Sequence, residues 1–250
     1  MVCALQIHEK PHLNEPVLIE GLPGIGFVAN IAALHLIQEL KTKLFAEIRS
    51  SSFQDFAITT EDGKTRSPVN ELHYRKGRNG ERDLIILYGN TQALTTVGQY
   101  ELCGRVLDIA QESGCHYVIT LGGLRVEEKV VTPKVYCAAS DAETLREAQN
   151  LGAEIIQGQI FGIAGLLVGL SKLRGMKSFC LLAETQGFYP DASAAREVLS
   201  PVCRMLSLKV DLSRLDMAAE TTRNIIESFG LIKPSPKEKT REESGFRWHV

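Results

Sequence analysis

Gly21, Gly24 and Gly26 are the residues of this chain whose type and spacing come nearest to a chemical signature. They stand in Pro16-Val-Leu-Ile-Glu-Gly-Leu-Pro-Gly-Ile-Gly-Phe-Val-Ala-Asn30, between a short apolar run and the helical spacing of Ala29, Ala33, Leu36, Ile37 and Leu40. Glycine lacks the Cβ that would block positive φ or close backbone approach. A helix start left open by such a turn can hold an anion on its free N–H groups. A phosphate loop of the Walker type would continue with Lys and then Ser or Thr, but Phe27 and Val28 follow. Gly24-Ile-Gly26-Phe-Val-Ala29 does fit the dinucleotide pattern, with Glu47 roughly 20 residues on, where a ribose ligand belongs. A tight turn that lets the helix pack closely on a sheet fits the same residues, as does contact with some other ligand or protein.

Further polar and glycine residues follow apolar, strand-like runs. Glu20, Asn90, Thr91, Gln92, Glu184, Thr185 and Asp191, with Gly24, Gly26, Gly122 and Gly123, form a candidate ligand rim at the carboxyl edge of a sheet, where open α/β folds bind. Glu184 could act there as a base. The same carboxylate could instead accept from N–H groups of a neighbouring loop. No nucleophile elbow, paired-carboxylate spacing or triad-like arrangement is present, so no catalytic residue is assigned. His35 and His116 have apolar neighbours and read as structural. The six histidines and six cysteines form no metal-ligand pattern, and the cysteines read as buried free thiols of a cytoplasmic protein. Neither a metal nor a cofactor is expected.

The elements that must position this rim alternate in type. Leu44 to Arg49 reads as a second strand. Phe53 to Thr59, a turn at Asp62-Gly63 and Val69 to Tyr74 make a hairpin-like excursion where a dinucleotide domain would place a helix. That counts against the cofactor. Leu84 to Tyr88 is wholly apolar, as in the middle of a sheet covered on both faces. A helix from about Val97 to Ser113 and a strand from Tyr117 to Leu121 follow. This unit predicts two strands ending side by side at Gly89-Asn90 and Gly122-Gly123. Pro133 to Ala139 reads as a strand, and Ser140 with Glu143 as a capping box. Ile163 to Leu173 is apolar nearly all round, so a helix there needs burial on several sides. Ser178 to Ala183 is the last clear strand. Asp191 should cap a helix that Pro201 kinks, and Ser213 should cap a final helix ending at Gly230.

The fold class is therefore α/β, a mostly parallel sheet with a hairpin excursion, in a single domain over 1–232. With 250 residues and 44% hydrophobic content the chain can bury a sizeable core. A net charge of −2 gives no electrostatic case for nucleic acid. No apolar run reaches the ~18 residues of a membrane span, and no signal-like h-region is present. Residues 233–250 differ in character, being charged and proline-bearing until Phe246-Arg-Trp-His-Val250, and read as a flexible tail. The only tryptophan, Trp248, sits in that tail, which suggests a short docking peptide.

The stretch from Pro16 to Asn30 resembles the opening motif of the proteasome assembly chaperone family, as found in archaea. Gly89-Asn-Thr-Gln92, Ile119-Thr-Leu-Gly-Gly123, Gly162-Ile-Ala-Gly-Leu-Leu-Val-Gly169 and Cys180-Leu-Leu-Ala-Glu-Thr185 resemble its later motifs in the same order. The resemblance covers roughly residues 15 to 230. It implies a three-layer α/β/α fold like that of nucleoside phosphorylases, without their activity. It also implies a homo-oligomer that binds proteasome α or β subunits. Asn90 stands where many members carry an acid. Members that dock on the proteasome end in hydrophobic–Tyr–any residue, and here Trp248, His249 and Val250 keep the hydrophobic position and replace tyrosine with histidine. The alternatives are a small-molecule-binding or hydrolytic enzyme using the rim, and an oligomeric adaptor with another partner.

Because the excursion replaces the second crossover, neither NAD nor ATP at millimolar concentration should raise the melting temperature, as a ligand of the folded state would by mass action. A clear thermal shift with either nucleotide would overturn this expectation.

Overall fold

The computed structural model describes residues 3–228 other than Thr60, Asn79 and Lys129, with backbone alone at 222–228. The strands are β1 (Cys3–Ile7), β2 (Val17–Gly21), β3 (Lys43–Ser50), β4 (Ile58–Thr59), β5 (Thr65–Arg66), β6 (Asn70–Arg75), β7 (Leu84–Gly89), β8 (Tyr117–Arg125), β9 (Val135–Ala139), β10 (Glu154–Ile155) and β11 (Lys177–Thr185). The helices are α1 (Val28–Leu40), α2 (Thr96–Glu112), α3 (Ala142–Asn150), α4 (Ile163–Leu173), α5 (Ala192–Met205) and α6 (Ser213–Ser228). All strands but β4 and β5 form one sheet in the order β1-β3-β6-β7-β2-β8-β11-β9-β10. Its centre, β7-β2-β8-β11, is parallel, and antiparallel pairs flank it on both sides.

Strand alternation divides the core between two helical layers. Val17 and Ile19 face α1 and α5, whereas Leu18 faces the other way, towards α2 and α4. The result is the expected three-layer α/β/α arrangement. β7 and β8 do not lie side by side as expected, because β2 runs between them. The unit β7-α2-β8 therefore steps over the strand that carries Glu20. The hairpin excursion is present, but the segment expected as a strand from Phe53 narrows to the two-residue β4, paired with β5 across Asp62-Gly63. Phe53 itself is buried in the core, so tertiary packing claims it for a turn.

Other local expectations shift for identifiable reasons. Asp141, not Ser140, caps α3, its carboxylate accepting from the N–H groups of Glu143 and Thr144. A carboxylate at that position reaches both donors of the first turn. Asp191 caps α5 as expected, and that helix continues through the buried Pro201 as one element. Helix α4 has its expected bounds but one closed face, made by Ile163, Leu167, Val168 and Ser171; Gly169 and Leu173 are exposed. The end of the final helix at Gly230 and residues 233–250, with Trp248, His249 and Val250, lie outside the described residues.

Helix α1 meets the sheet at backbone contact. A Cβ on Gly21 would lie 2.2 Å from the Ala33 Cβ and 2.7 Å from the Ala29 carbonyl oxygen. Gly21→Ala should therefore cost about 1–3 kcal/mol of unfolding free energy. Gly104→Ala inside α2, where the nearest atom is the tip of Arg174 at 3.9 Å, should instead gain about 0.5–1 kcal/mol from helix propensity. Urea midpoints of the two variants check the opposite signs.

Candidate functional site

The parallel central strands all end at one edge, and their loops meet there. β8 and β11 stay paired as far as Arg125 and Thr185, beyond the point where β2 stops pairing at Thr120. A 3-10 turn, Ile25–Phe27, fills that step by lying across β8: a Cβ on Gly123 would come within 2.4 Å of the Ile25 carbonyl oxygen. Gly26 has φ of 63° and Phe27 φ of 52°. The second value is a cost for a residue with a Cβ, and such costs are retained where the surroundings over-determine the backbone. Gly24 has an extended backbone, and a Cβ there would meet only Gln92 Nε2 at 3.8 Å.

Most polar residues of the rim bind other parts of the rim. Gln92 donates from Nε2 to the Pro23 carbonyl and accepts at Oε1 from Gln99 Nε2 (3.1 Å) and Ile163 N–H (3.4 Å). One side chain thus ties the glycine turn, α2 and the start of α4. Asn90 Oδ1 accepts from the Val69 N–H at 3.0 Å, closing the loop after β7 onto β6. Thr185 donates from Oγ1 to Asp191 Oδ2 at 2.7 Å, and Asp191 N–H donates to the Gly26 carbonyl at 2.8 Å. Glu184 accepts from the Lys134 N–H and the Tyr136 hydroxyl at 3.2 and 3.0 Å. Gly122 and Gly123, expected in a loop, belong to β8 itself. They admit the Leu182 side chain and the glycine turn where a Cβ would collide.

Asn30 gains a role that pattern reasoning left unassigned, and Glu20, expected at the rim, lies buried beneath it. Asn30 Nδ2 donates to the carbonyls of Gly21 (3.3 Å) and Gly89 (2.8 Å), joining the ends of β2 and β7. Glu20 is only 1% exposed, at the centre of the sheet. Its Oε1 accepts from the Leu22 N–H at 2.8 Å, and its Oε2 has no partner. Burial pushes this carboxyl up to about 8, with the N–H groups of Leu22 and Leu121 pulling the other way. Glu47, the position for a ribose ligand, sits on β3, separated from β2 by β6 and β7. It binds His8 and Arg49. His35 is buried and bonded to the Asp211 carbonyl at 2.7 Å, and His116 is exposed beside the opposite end of β8. All six cysteines are free, five of them buried.

With the polar groups turned inward, the loops of this edge present apolar side chains outward. Ile25, Phe27, Leu94, Val97, Val131, Phe161 (83% exposed) and Phe188 (67%) all follow carboxyl ends of strands or lead into α4. The Arg125 guanidinium lies 5.0 Å from the Phe188 ring centre. A rim of this kind suits contact with a protein surface better than turnover of a polar substrate.

The α/β/α sandwich with a nine-stranded sheet and these loops is shared with a known class of proteins. The chain matches the PAC2 family over residues 18–229 and belongs to it. The crystal structure of Pyrococcus furiosus PbaB, described as an archaeal proteasome activator, is 38% identical with a TM-score of 0.86, covering 91% of this chain and 98% of that one. Pyrococcus furiosus PbaA, described as an archaeal homolog of proteasome-assembly chaperone, is 27% identical with a TM-score of 0.77 over 92% of each chain. An uncharacterised protein of Methanocaldococcus jannaschii is 33% identical over 217 residues, 86% of this chain and 83% of its own length. The resemblance drawn from the ordered motifs and the α/β fold class are both borne out, and the family is not a catalytic one. Among the described residues no helix is long and apolar enough to cross a membrane.

The Glu20 carboxyl gives stability a pH dependence. Below its ordinary value of 4.5 folded and unfolded chains both hold the proton, and its titration contributes nothing to stability. As pH rises towards 8 the unfolded chain releases the proton and the folded one keeps it, so the fold loses stability across that window. Glu20→Gln should remove this loss, gaining on the wild type by up to about 1.4 kcal/mol per pH unit. Urea denaturation of both proteins at intervals from pH 5 to 8 measures it, and parallel curves would show that Glu20 does not titrate there.

Proposed function

We propose that this chain is a non-enzymatic, homo-oligomeric chaperone of the cytoplasm that binds proteasome subunits and assists assembly of the 20S proteasome. The observation that carries this reading is the similarity to PbaB and PbaA along nearly their whole length, one described as a proteasome activator and the other as a homolog of an assembly chaperone. The apolar rim supports it from the chain itself. Its side chains stand on loops cross-tied by Gln92 and Asp191, so the rim is pre-organised and little ordering entropy opposes docking. Self-association is assigned to the open face of α4, where Leu173 is 81% exposed and a Cβ on Gly169 would meet nothing within 4 Å. The body is residues 1–232, and 233–250 serve as a tether for Trp248, His249 and Val250. A second reading, action on the finished particle, is favoured by the description of PbaB as an activator.

Native mass spectrometry with proteasome α and β subunits of the same host, together with peptide hydrolysis by assembled 20S particles, tests both readings. Full-length protein should capture unassembled subunits, and replacing Phe161 and Phe188 by serine should weaken capture about tenfold or more. Deleting Trp248-His249-Val250 should leave capture intact and weaken docking on assembled α-rings. His249→Tyr should strengthen that docking. If the deletion abolishes subunit capture and leaves ring binding unchanged, the roles of body and tail are reversed. Stimulated hydrolysis without subunit capture would favour the activator.

A further inference from the structure

A cavity of about 280 Å³ opens at the carboxyl edge between β2, β8 and the start of α4. Its walls are mostly aliphatic, with Leu121, Leu182 and Ile160 among them and Phe161 at its side. Two polar features face this apolar space. Glu20 lines it, almost wholly buried, with Oε1 satisfied by the Leu22 N–H and Oε2 without a partner. Helix α4 begins there at Gly162 with no side chain capping its first turn, and Gly162, Ile163 and Ala164 all line the cavity. The side-chain acceptor that reaches that helix start, Gln92 Oε1, takes the Ile163 N–H at a long 3.4 Å.

A buried carboxyl oxygen left without a partner carries a desolvation cost, and in a folded protein such an atom calls for a polar partner or a functional role. The two polar features agree on what such a partner must be. A protonated carboxyl offers one O–H donor, and burial favours the protonated form of Glu20 at neutral pH. The helix start offers N–H donors and the positive end of the helix dipole. Both suit an acceptor, preferably a negative one, and the positive end of the helix dipole disfavours a cation. The walls call for an apolar body. A dry cavity of about 150 Å³ holds a benzene molecule, so this one holds roughly 10 to 15 non-hydrogen atoms.

We propose that this cavity binds a small apolar carboxylate, its head group held between Glu20 and the start of α4 and its hydrocarbon body against Leu121, Leu182 and Phe161. The site goes beyond the proteasome-binding role: the head group lies inside the rim, beneath the side chains that face outward, and Ile25 and Phe161 border both surfaces. The titratable neighbours of Glu20 are the buried thiols of Cys103 on α2 and Cys180 on β11, both raised by burial and uncharged at neutral pH.

The test is calorimetric titration of the full chain with phenylacetate and with octanoate, using phenethylamine as the cationic counterpart. Saturable binding of one carboxylate per chain is expected, with no binding of the amine. Glu20→Leu should weaken it about tenfold or more, as loss of a hydrogen bond to a charged group does, and Glu20→Gln should stay within about threefold because its amide N–H replaces the O–H. Wild-type affinity should fall above about pH 8 as Glu20 ionises, while the Gln variant stays flat. If the Leu variant fails to fold, this pH contrast decides the matter. The proposal is overturned by no saturable binding at millimolar carboxylate, by unchanged affinity in a folded Leu variant, by a flat wild-type pH profile, or by preference for the amine. None of those results bears on subunit capture.

Discussion

The carboxyl edge of this protein depends on one close contact, that of helix α1 against the Gly21 backbone. With no Cβ at Gly21, Ala29 and Ala33 bring the helix axis as near the sheet as van der Waals radii permit. That proximity puts Asn30 within reach of two strand-end carbonyls, Gly21 and Gly89, which would otherwise be left without side-chain partners where parallel strands stop. It also sets where the chain must turn between strand and helix. The Ile25–Phe27 turn has to fit in that short space, which is why it accepts a left-handed φ at Phe27 and rests on Gly123.

Once the turn is fixed, the loops around it hold each other. Gln92 and the Thr185–Asp191 pair use their polar atoms on neighbouring loops, so little hydrogen-bonding capacity at the rim remains for a polar substrate. Apolar side chains are then what the loops offer to the outside. A rigid edge bearing phenylalanine and aliphatic residues is costly in water and gains when another protein covers it. That accords with a non-catalytic family whose neighbours are described through the proteasome.

Glu20 is the acid that this edge leaves half satisfied. A carboxyl at the centre of a parallel sheet loses its hydration and recovers one short hydrogen bond, from Leu22, with the Leu121 N–H also favouring its charged form, so the fold carries a destabilising group in its most protected strand. A well-packed leucine would suit the surrounding core better on stability alone. An acid beside an open helix start and an apolar cavity is a local inconsistency of the kind expected at functional sites.

The sequence by itself determined the family and most of the elements, though not β1, β10 or the shortening of the Phe53 strand to β4. Apolar runs of strand length, helical spacing after Gly26 and the order of the glycine motifs are local properties, and the bounds of α4 and the cap at Asp191 followed from them. The sequence also carried the residues of the rim, since strand ends and their loops are adjacent along the chain. Only the tertiary structure decided what those residues do. Nothing local says that β2 inserts between β7 and β8, because strand order is set by how long-range pairs bury both faces of the sheet. Nothing local says that Glu184 turns to Lys134 and Tyr136, or that Gln92 meets Pro23 and Ile163, residues separated by 48 to 71 positions. Hydrogen-bond partners are chosen by proximity in space, and the isolated partner-seeking oxygen of Glu20 becomes visible only when every neighbour has been placed.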